Sequence, residues 1–453
     1  MMNPLNWGLS YLKSGSARSV NIKQNALWSL AIKIAAMAIQ LVQVPVVLSY
    51  LDSNLYGVYL TITSIVMWTH NFDFGLGSGL RFKLTEAISK DDIARGKHLV
   101  STAYISLAAI MAIVAIMCIP LLFVLNWQKI LNCQSLSGNY LALCIFVVLL
   151  TILAQFVLEL ITIVLQAKLK TAVSTIFKPI ANMVSITTVL ILSVSGTHSL
   201  LYACMALTLP LLSVLFITNI ALFAKEFKDI RPSFKFYERS ALSDIYSLGL
   251  KFFVSSLATM VVFNSANILL SYFINPTEVS VYNTSSTYFA TIVVFHGVFL
   301  APIWVSITDA YVKGEKKWIK SCMHKLYLLT GGFSLLCVVA LLVSKFVFNI
   351  WIGDKLIIPF ALCVFWTIYY IGNIWSATFA SFVTGVGKAQ VTMYLSIAKI
   401  IIFIPVAIVL IKTFGVVGMV LAITLVNTVP NVIFGYIQYH LIIENKAHGI
   451  WAK

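Results

Sequence analysis

Apolar residues fall into twelve runs along the chain, at about 25–50, 56–74, 99–125, 141–166, 179–194, 200–224, 249–274, 281–306, 326–348, 360–384, 391–413 and 416–441. An α-helix needs roughly 20 apolar residues to cross ~30 Å of hydrocarbon, which offers no partner to an open backbone group. Each run therefore reads as a transmembrane helix, and the fold class as an all-α polytopic membrane protein. The polar stretches between runs are short. The longest on one side is about 126–140 and on the other 225–248, and neither has room for a folded domain.

An even number of spans leaves both termini on one side, and basic residues indicate which. Lys129, Lys345, Lys355 and Lys412 fall in loops or helix ends on the side away from the termini, while Lys33 and Lys399 fall within spans. All other lysines and every arginine lie on the terminal side. That side is expected to be the cytoplasmic one. Residues 1–24 lack the apolar core of a signal peptide and read as a retained basic arm, with 442–453 as a cytoplasmic tail.

The two halves repeat. "LSYLDSNLYGVY" (48–59) resembles "LSYFINPTEVSVY" (270–282), and "TEAISK" (85–90) resembles "TDAYVK" (308–313), at offsets of 222 to 223. Six spans separate the copies, so they share an orientation. The expectation is two six-helix bundles, 25–224 and 249–441, joined by a cytoplasmic linker at 225–248 and facing a central cavity.

Composition agrees with this reading. The chain is 60% hydrophobic and 10% charged, where soluble domains are about a quarter charged. A net charge of +16 raises nucleic acid as a partner, but topology accounts for the basic residues and none is expected. Seven cysteines lie scattered, mostly inside apolar runs, and form neither a disulfide framework nor a metal spacing. Neither a metal nor a cofactor is expected.

"FDFGLGSGLRFKLTEA" (72–87) has the look of a phosphate-cradling loop. Gly75, Gly77 and Gly79 lack the third glycine spacing of a dinucleotide fingerprint and follow a membrane span, not a strand. Their expected use is close helix packing and a bend. Around them, Tyr56-Gly57, Asp73-Phe74-Gly75-Leu76, Gly79-Leu80-Arg81 and Glu86 make about 50 residues that resemble bacterial polysaccharide flippases of the O-antigen (Wzx) type. These belong to the multidrug/oligosaccharidyl-lipid/polysaccharide exporter superfamily. The resemblance implies a non-enzymatic carrier in the bacterial inner membrane. Such a carrier moves an undecaprenyl-diphosphate-linked oligosaccharide of the lipopolysaccharide pathway from inner to outer leaflet by alternating access. It also implies membrane lipids around a monomer, a polymerase and chain-length regulator as partners, and coupling to H+ or Na+. It lends weight to Asp73, Gly75, Gly79, Arg81 and Glu86, against the plainer reading of an Asp73–Arg81 salt bridge that orders the connection.

Polar residues inside the spans supply the candidate site. Thr151, Gln155, Glu159, Thr162 and Gln166 share one face of the fourth span. A stripe of this kind faces protein or water, since lipid leaves polar groups unpaired. Interhelical hydrogen bonds and a cavity wall both satisfy it, and Glu159 is the candidate coupling carboxylate. Lys33, Gln40 and Gln43 share a side of the first span, with Lys33 roughly 12 Å from its inner end. Thr392, Ser396 and Lys399 repeat the arrangement in the eleventh, and Lys251 opens the seventh. Snorkelling to the inner surface competes for Lys33, and an ordinary interfacial position for Lys251. Lys33, Lys251 and Lys399 together are expected to attract a diphosphate head group, while Glu159 pairs with a lysine until substrate arrives. His70 and His296 read as proton shuttles or as packing residues. Pro45, Pro210, Pro302, Pro405 and Pro430 interrupt helical runs.

Two other functions fit less well. A cation-coupled drug exporter, or an exporter of another lipid-linked precursor, is the nearest competitor; an acid-dominated cavity would favour the drug exporter, and here cations outnumber acids in the spans. An enzyme such as an O-unit polymerase would be expected to carry a sizeable outer loop with acidic or arginine residues, and Asp52, Glu278 and Asp354 are dispersed over short ones.

Overall fold

The computed structural model describes residues 17–69, 75–168, 170–388 and 390–452. Its main helices are α1 (Ala17–Met67), α2 (Leu76–Ser89), α3 (Ile93–Val124), α4 (Gly138–Leu158), α5 (Leu160–Ala167), α6 (Phe177–Val194) and α7 (Leu200–Ala224). They continue as α8 (Arg239–Phe273), α9 (Pro276–Val312), α10 (Lys316–Trp351), α11 (Phe360–Val386), α12 (Gln390–Ile423) and α13 (Val429–Ile443).

Through their described residues the twelve apolar runs are helical, apart from a turn at Glu159, a π-turn over Thr424–Thr428 and a residue or two at their ends. Eight of the described helical segments are long and apolar enough to cross a membrane. Two of these each carry two runs. In α1 the runs meet at Asp52, whose φ is 65° and whose carboxylate accepts from the Asn54 and Leu55 amides at 2.7 and 2.9 Å. That capping restarts the helix without a loop. In α12 the break is Gly415, at φ 61°. Among the described residues α8 offers a shorter apolar stretch, Leu257–Phe273.

By contacts the chain divides into two compact units. The first comprises residues 1–46, 69–125 and 142–253. Within it α2 packs on α3 and α5, and α6 on α7. Leu76, Leu80 and Leu84 recur on the buried face of α2, so the stretch expected to be a connection is itself a packed helix. Gly75, left-handed at φ 83°, starts it. Gly79 then lets α2 reach α8, for a Cβ there would overlap the Ile245 carbonyl.

The segment expected as a linker is also held firmly in this unit. It forms two 3-10 turns, Lys228–Ile230 and Phe234–Phe236, before α8 begins. Arg95 of α3 pairs with Glu238 at 3.0 Å and with Asp244, and Lys97 sits 4.0 Å over the Phe236 ring.

The second unit comprises residues 47–68, 126–141 and 254–453. Here α9, α10 and α13 pack on α11 around Ile307, Ile319, Met323, Phe379, Phe382 and Tyr439. Segments from the first half of the chain contribute as well. Asn267 donates to Ser64 at 2.8 Å, Asn132 to the Ile274 carbonyl at 2.8 Å, and Ser280 to the Ser53 carbonyl at 2.5 Å. His296 lies fully buried in this unit, 3.3 Å from the Thr330 hydroxyl.

A candidate anion-binding cavity in the second unit

Polar side chains on α8, α11, α12 and α13 line a cavity of about 290 Å³. Helix α12 supplies Thr392, Ser396 and Lys399, spaced +4 and +3 so that they fall on one face. Helix α11 adds Asn373 and Ser376, and α8 adds Thr259 and Phe263. A second polar stripe, Asn427, Asn431 and Gln438, joins them, and Ala380, Val383, Val391, Leu395 and Phe434 add apolar lining.

Local backbone chemistry explains how Asn427 reaches the cavity. Pro430 has no amide hydrogen to offer the carbonyl one turn earlier. The ladder widens there into the π-turn Thr424–Thr428, closed by the Val429 amide on the Thr424 carbonyl. A π-turn inserts one residue and so rotates the next turns of helix about the axis. Gly435 completes the wall, since its missing Cβ would stand 2.7 Å from the Phe379 Cβ, and the glycine lets α13 lie against α11.

Lys399 is 8% exposed. Its ammonium donates to the Asn431 Oδ1 at 2.8 Å, and among the described residues no Asp or Glu lines the cavity. A cation so placed keeps its proton-donor capacity for a guest, and in a low effective dielectric it attracts an anion more strongly than a surface lysine does. Ser396 donates to the Thr392 carbonyl at 2.9 Å, which leaves its oxygen as an acceptor. Gln438 on α13 donates to the Lys388 carbonyl at 2.8 Å.

The stripe on the fourth span lies in the first unit. Thr151 donates to the Val147 carbonyl at 2.7 Å and Thr162 to the Glu159 carbonyl at 2.8 Å. Gln155, 8% exposed, donates across to the Thr208 carbonyl of α7 at 2.6 Å. Glu159 occupies the turn between α4 and α5 and pairs with Lys178 at 3.1 Å, a lysine counted from the sequence as an inner-turn residue. Lys33 and Gln40 are exposed on α1 and Gln43 is half-buried there. Lys251 lies on α8, with its side chain outside the described residues. Asp73 and His70 fall outside them altogether. Arg81 is exposed on α2, and Glu86 pairs along the same helix with Lys83 at 3.5 Å and Lys90 at 2.7 Å. The Lys90 ammonium, first, and then Lys83 hold the Glu86 carboxyl below the usual carboxylate range.

Residues 22–305, well over half of the chain, match the family model described as "Polysaccharide biosynthesis protein". The chain belongs to this family. It is similar to a "Putative O-antigen export protein" of Yersinia pseudotuberculosis, 21% identical over 375 residues that cover 79% of this chain and 82% of that one. Among solved structures it resembles an inward-facing multidrug resistance MATE family transporter of the MOP superfamily. The TM-score is 0.76 at 14% identity, covering 93% of this chain and 98% of that one. A Vibrio cholerae MATE transporter aligns with a TM-score of 0.63 at 14% identity, over 96% and 98% of the two chains. The polysaccharide biosynthesis protein is thus an all-helical, multi-pass membrane protein with a MATE-like fold.

The sequence reading found Lys399 and Ser396 but missed the facing amides. Asn427, Asn431 and Gln438 recur at +4 and +7 in the last span, a signal as regular as the stripe on the fourth. Asn373 and Ser376 formed a weaker signal, a single +3 pair among aromatics.

Proposed function

We infer that this chain is a flippase for undecaprenyl-diphosphate-linked oligosaccharide repeat units, moving them from the inner to the outer leaflet of the bacterial inner membrane. The observation that carries the reading is a buried lysine in a polar cavity with no acid among its described lining residues, set in a family of polysaccharide biosynthesis proteins. A diphosphate-linked sugar presents negative charge beside hydroxyls, and that combination suits an ammonium surrounded by amides. Cationic drugs suit it poorly.

In this reading Lys33, Lys251 and Lys399 draw in the anionic carrier, and Gln40, Gln43, Thr151, Gln155, Thr162 and Ser396 offer hydrogen bonds along the route. Glu159 exchanges its lysine partner or a coupling ion, H+ or Na+, as the transporter turns over. The bundles 25–224 and 249–441 rock about the 225–248 linker, with both termini in the cytoplasm. The lipid tail stays in the bilayer. A pathway polymerase and chain-length regulator receive the product.

Deleting the gene should trap undecaprenyl-linked oligosaccharide on the inner face of the membrane. Lys33→Ala and Lys399→Ala should each lower surface polysaccharide at normal protein levels. Unchanged surface polysaccharide in both single variants and in the double variant would remove the lysines from the mechanism. Full surface polysaccharide in the deletion strain would remove the flippase assignment itself.

A further inference from the structure

We propose that the cavity between α8, α11, α12 and α13 is a subsite that holds one anionic monosaccharide of the cargo, with Lys399 on its negative group. The proposal rests on the flippase reading and narrows it. It assigns one ring of the substrate to one place in the chain, and makes the negative group on or next to that ring a requirement for recognition.

Size is the first argument. About 290 Å³ lies at the lower end of the ~300–1,000 Å³ typical of small-molecule pockets. One sugar ring is on that scale.

Chemistry is the second. Planar amides carry two donors and an acceptor each, the pattern that adjacent ring hydroxyls require. Asn373, Asn427 and Asn431 bring three of them to the wall from two helices and a π-turn. Phe263 and Phe434 provide apolar faces for the carbon side of a ring.

Charge is the third. Lys399 meets an amide oxygen, and no carboxylate lines the cavity among the described residues, so an anionic guest would supply the missing counter-charge. A ring carboxylate and a phosphate ester on the ring both bring it. The shared chemistry is an anionic sugar, and the experiment separates the two sources.

Purified full-length protein carrying Ser376→Cys is alkylated in the presence of glucuronate, glucose 1-phosphate, glucose or inorganic phosphate. Ser376 lies on the cavity wall, so occupancy slows its modification. An anionic sugar should protect, and neither glucose nor inorganic phosphate should match it. Protection by glucuronate alone assigns the charge to a sugar carboxylate, and protection by glucose 1-phosphate alone assigns it to the phosphate. Protection by both assigns Lys399 to any anion on the ring.

Lys399→Gln should weaken protection by more than about tenfold, the scale of truncating one side of a buried charged pair. Lys399→Arg should retain part of it, and Asn427→Ala should weaken it without altering the charge. The proposal is overturned if no anionic sugar protects, if glucose or phosphate protects equally, or if protection survives Lys399→Gln. Because the readout is binding to purified protein, it is independent of the cellular test. Trapped lipid-linked oligosaccharide with an unprotected cavity would sink the subsite alone, and protection without trapping would sink the flippase reading alone.

Discussion

At the residue scale, the glycines of α2 separate a packing role from a ligand role. Gly79 faces the Ile245 carbonyl, and any side chain there overlaps backbone that cannot move aside. Over-packing of this kind costs about 1–3 kcal/mol. Gly79→Val should therefore lower the thermal unfolding midpoint in detergent by several degrees. Gly138 has nothing within 4 Å of its missing Cβ, so Gly138→Ala should fall within about 0.5 kcal/mol of the parent. Equal midpoints for the two variants would show that α2 does not press on α8. Gln155 teaches the complementary lesson. Its place on a polar stripe was plain from spacing, whereas its partner is a backbone carbonyl fifty-three positions away. Every residue has a carbonyl, so no side-chain pattern could have singled out Thr208. Spacing tells that a polar group needs a partner, and the fold supplies which.

At the element scale, the linker shows how a segment between two halves is tied to one of them. Its charges were visible, but their partner Arg95 belongs to α3, more than a hundred residues earlier. The Ser240 hydroxyl, first, and then Arg95 and His98 keep the Glu238 carboxyl below its usual range. A depressed carboxyl contributes fully above its unfolded value, ~4.3, and loses its contribution as pH falls through the lower folded value. Arg95→Ala should thus destabilise the protein at pH 7. The gap in unfolding midpoint between parent and variant should close as pH drops below about 4. A gap of constant size would mean that Arg95 acts by packing alone. The helices themselves were legible for a simpler reason. Bilayer length forces long apolar runs, so all twelve could be read directly. Their joints could not. The Asp52 cap and the Gly415 break each replace a loop with one residue in a left-handed conformation, and the ladder widens into a π-turn before Pro430. Each of these depends on one residue's backbone, not on a periodic pattern.

At the scale of the whole molecule, the repeat acquires a physical meaning. Inside the second unit the two copies of the repeated motif touch each other. With an offset of 223, Ser53 corresponds to Pro276 and Gly57 to Ser280. The Ser280 hydroxyl donates to the Ser53 carbonyl, and Gly57 lies against the Pro276 carbonyl. Each copy therefore presents a carbonyl to the small residue of the other. One contact is made by a hydrogen bond, and its counterpart by the absence of a side chain. Neither contains an ion pair. A net hydrogen bond is worth about 0.5–1.5 kcal/mol, so this bond alone does not lock the junction. In the proposed flippase cycle it parts, because the cargo would leave between the segments that the repeat relates. Ser53→Cys together with Ser280→Cys, in a chain whose seven native cysteines are replaced, should hold the junction shut. Oxidation should then stop delivery of surface polysaccharide, and a reductant should restore it. Transport that continues in the cross-linked protein would place the exit elsewhere and leave the reciprocal contact as a fixed structural joint.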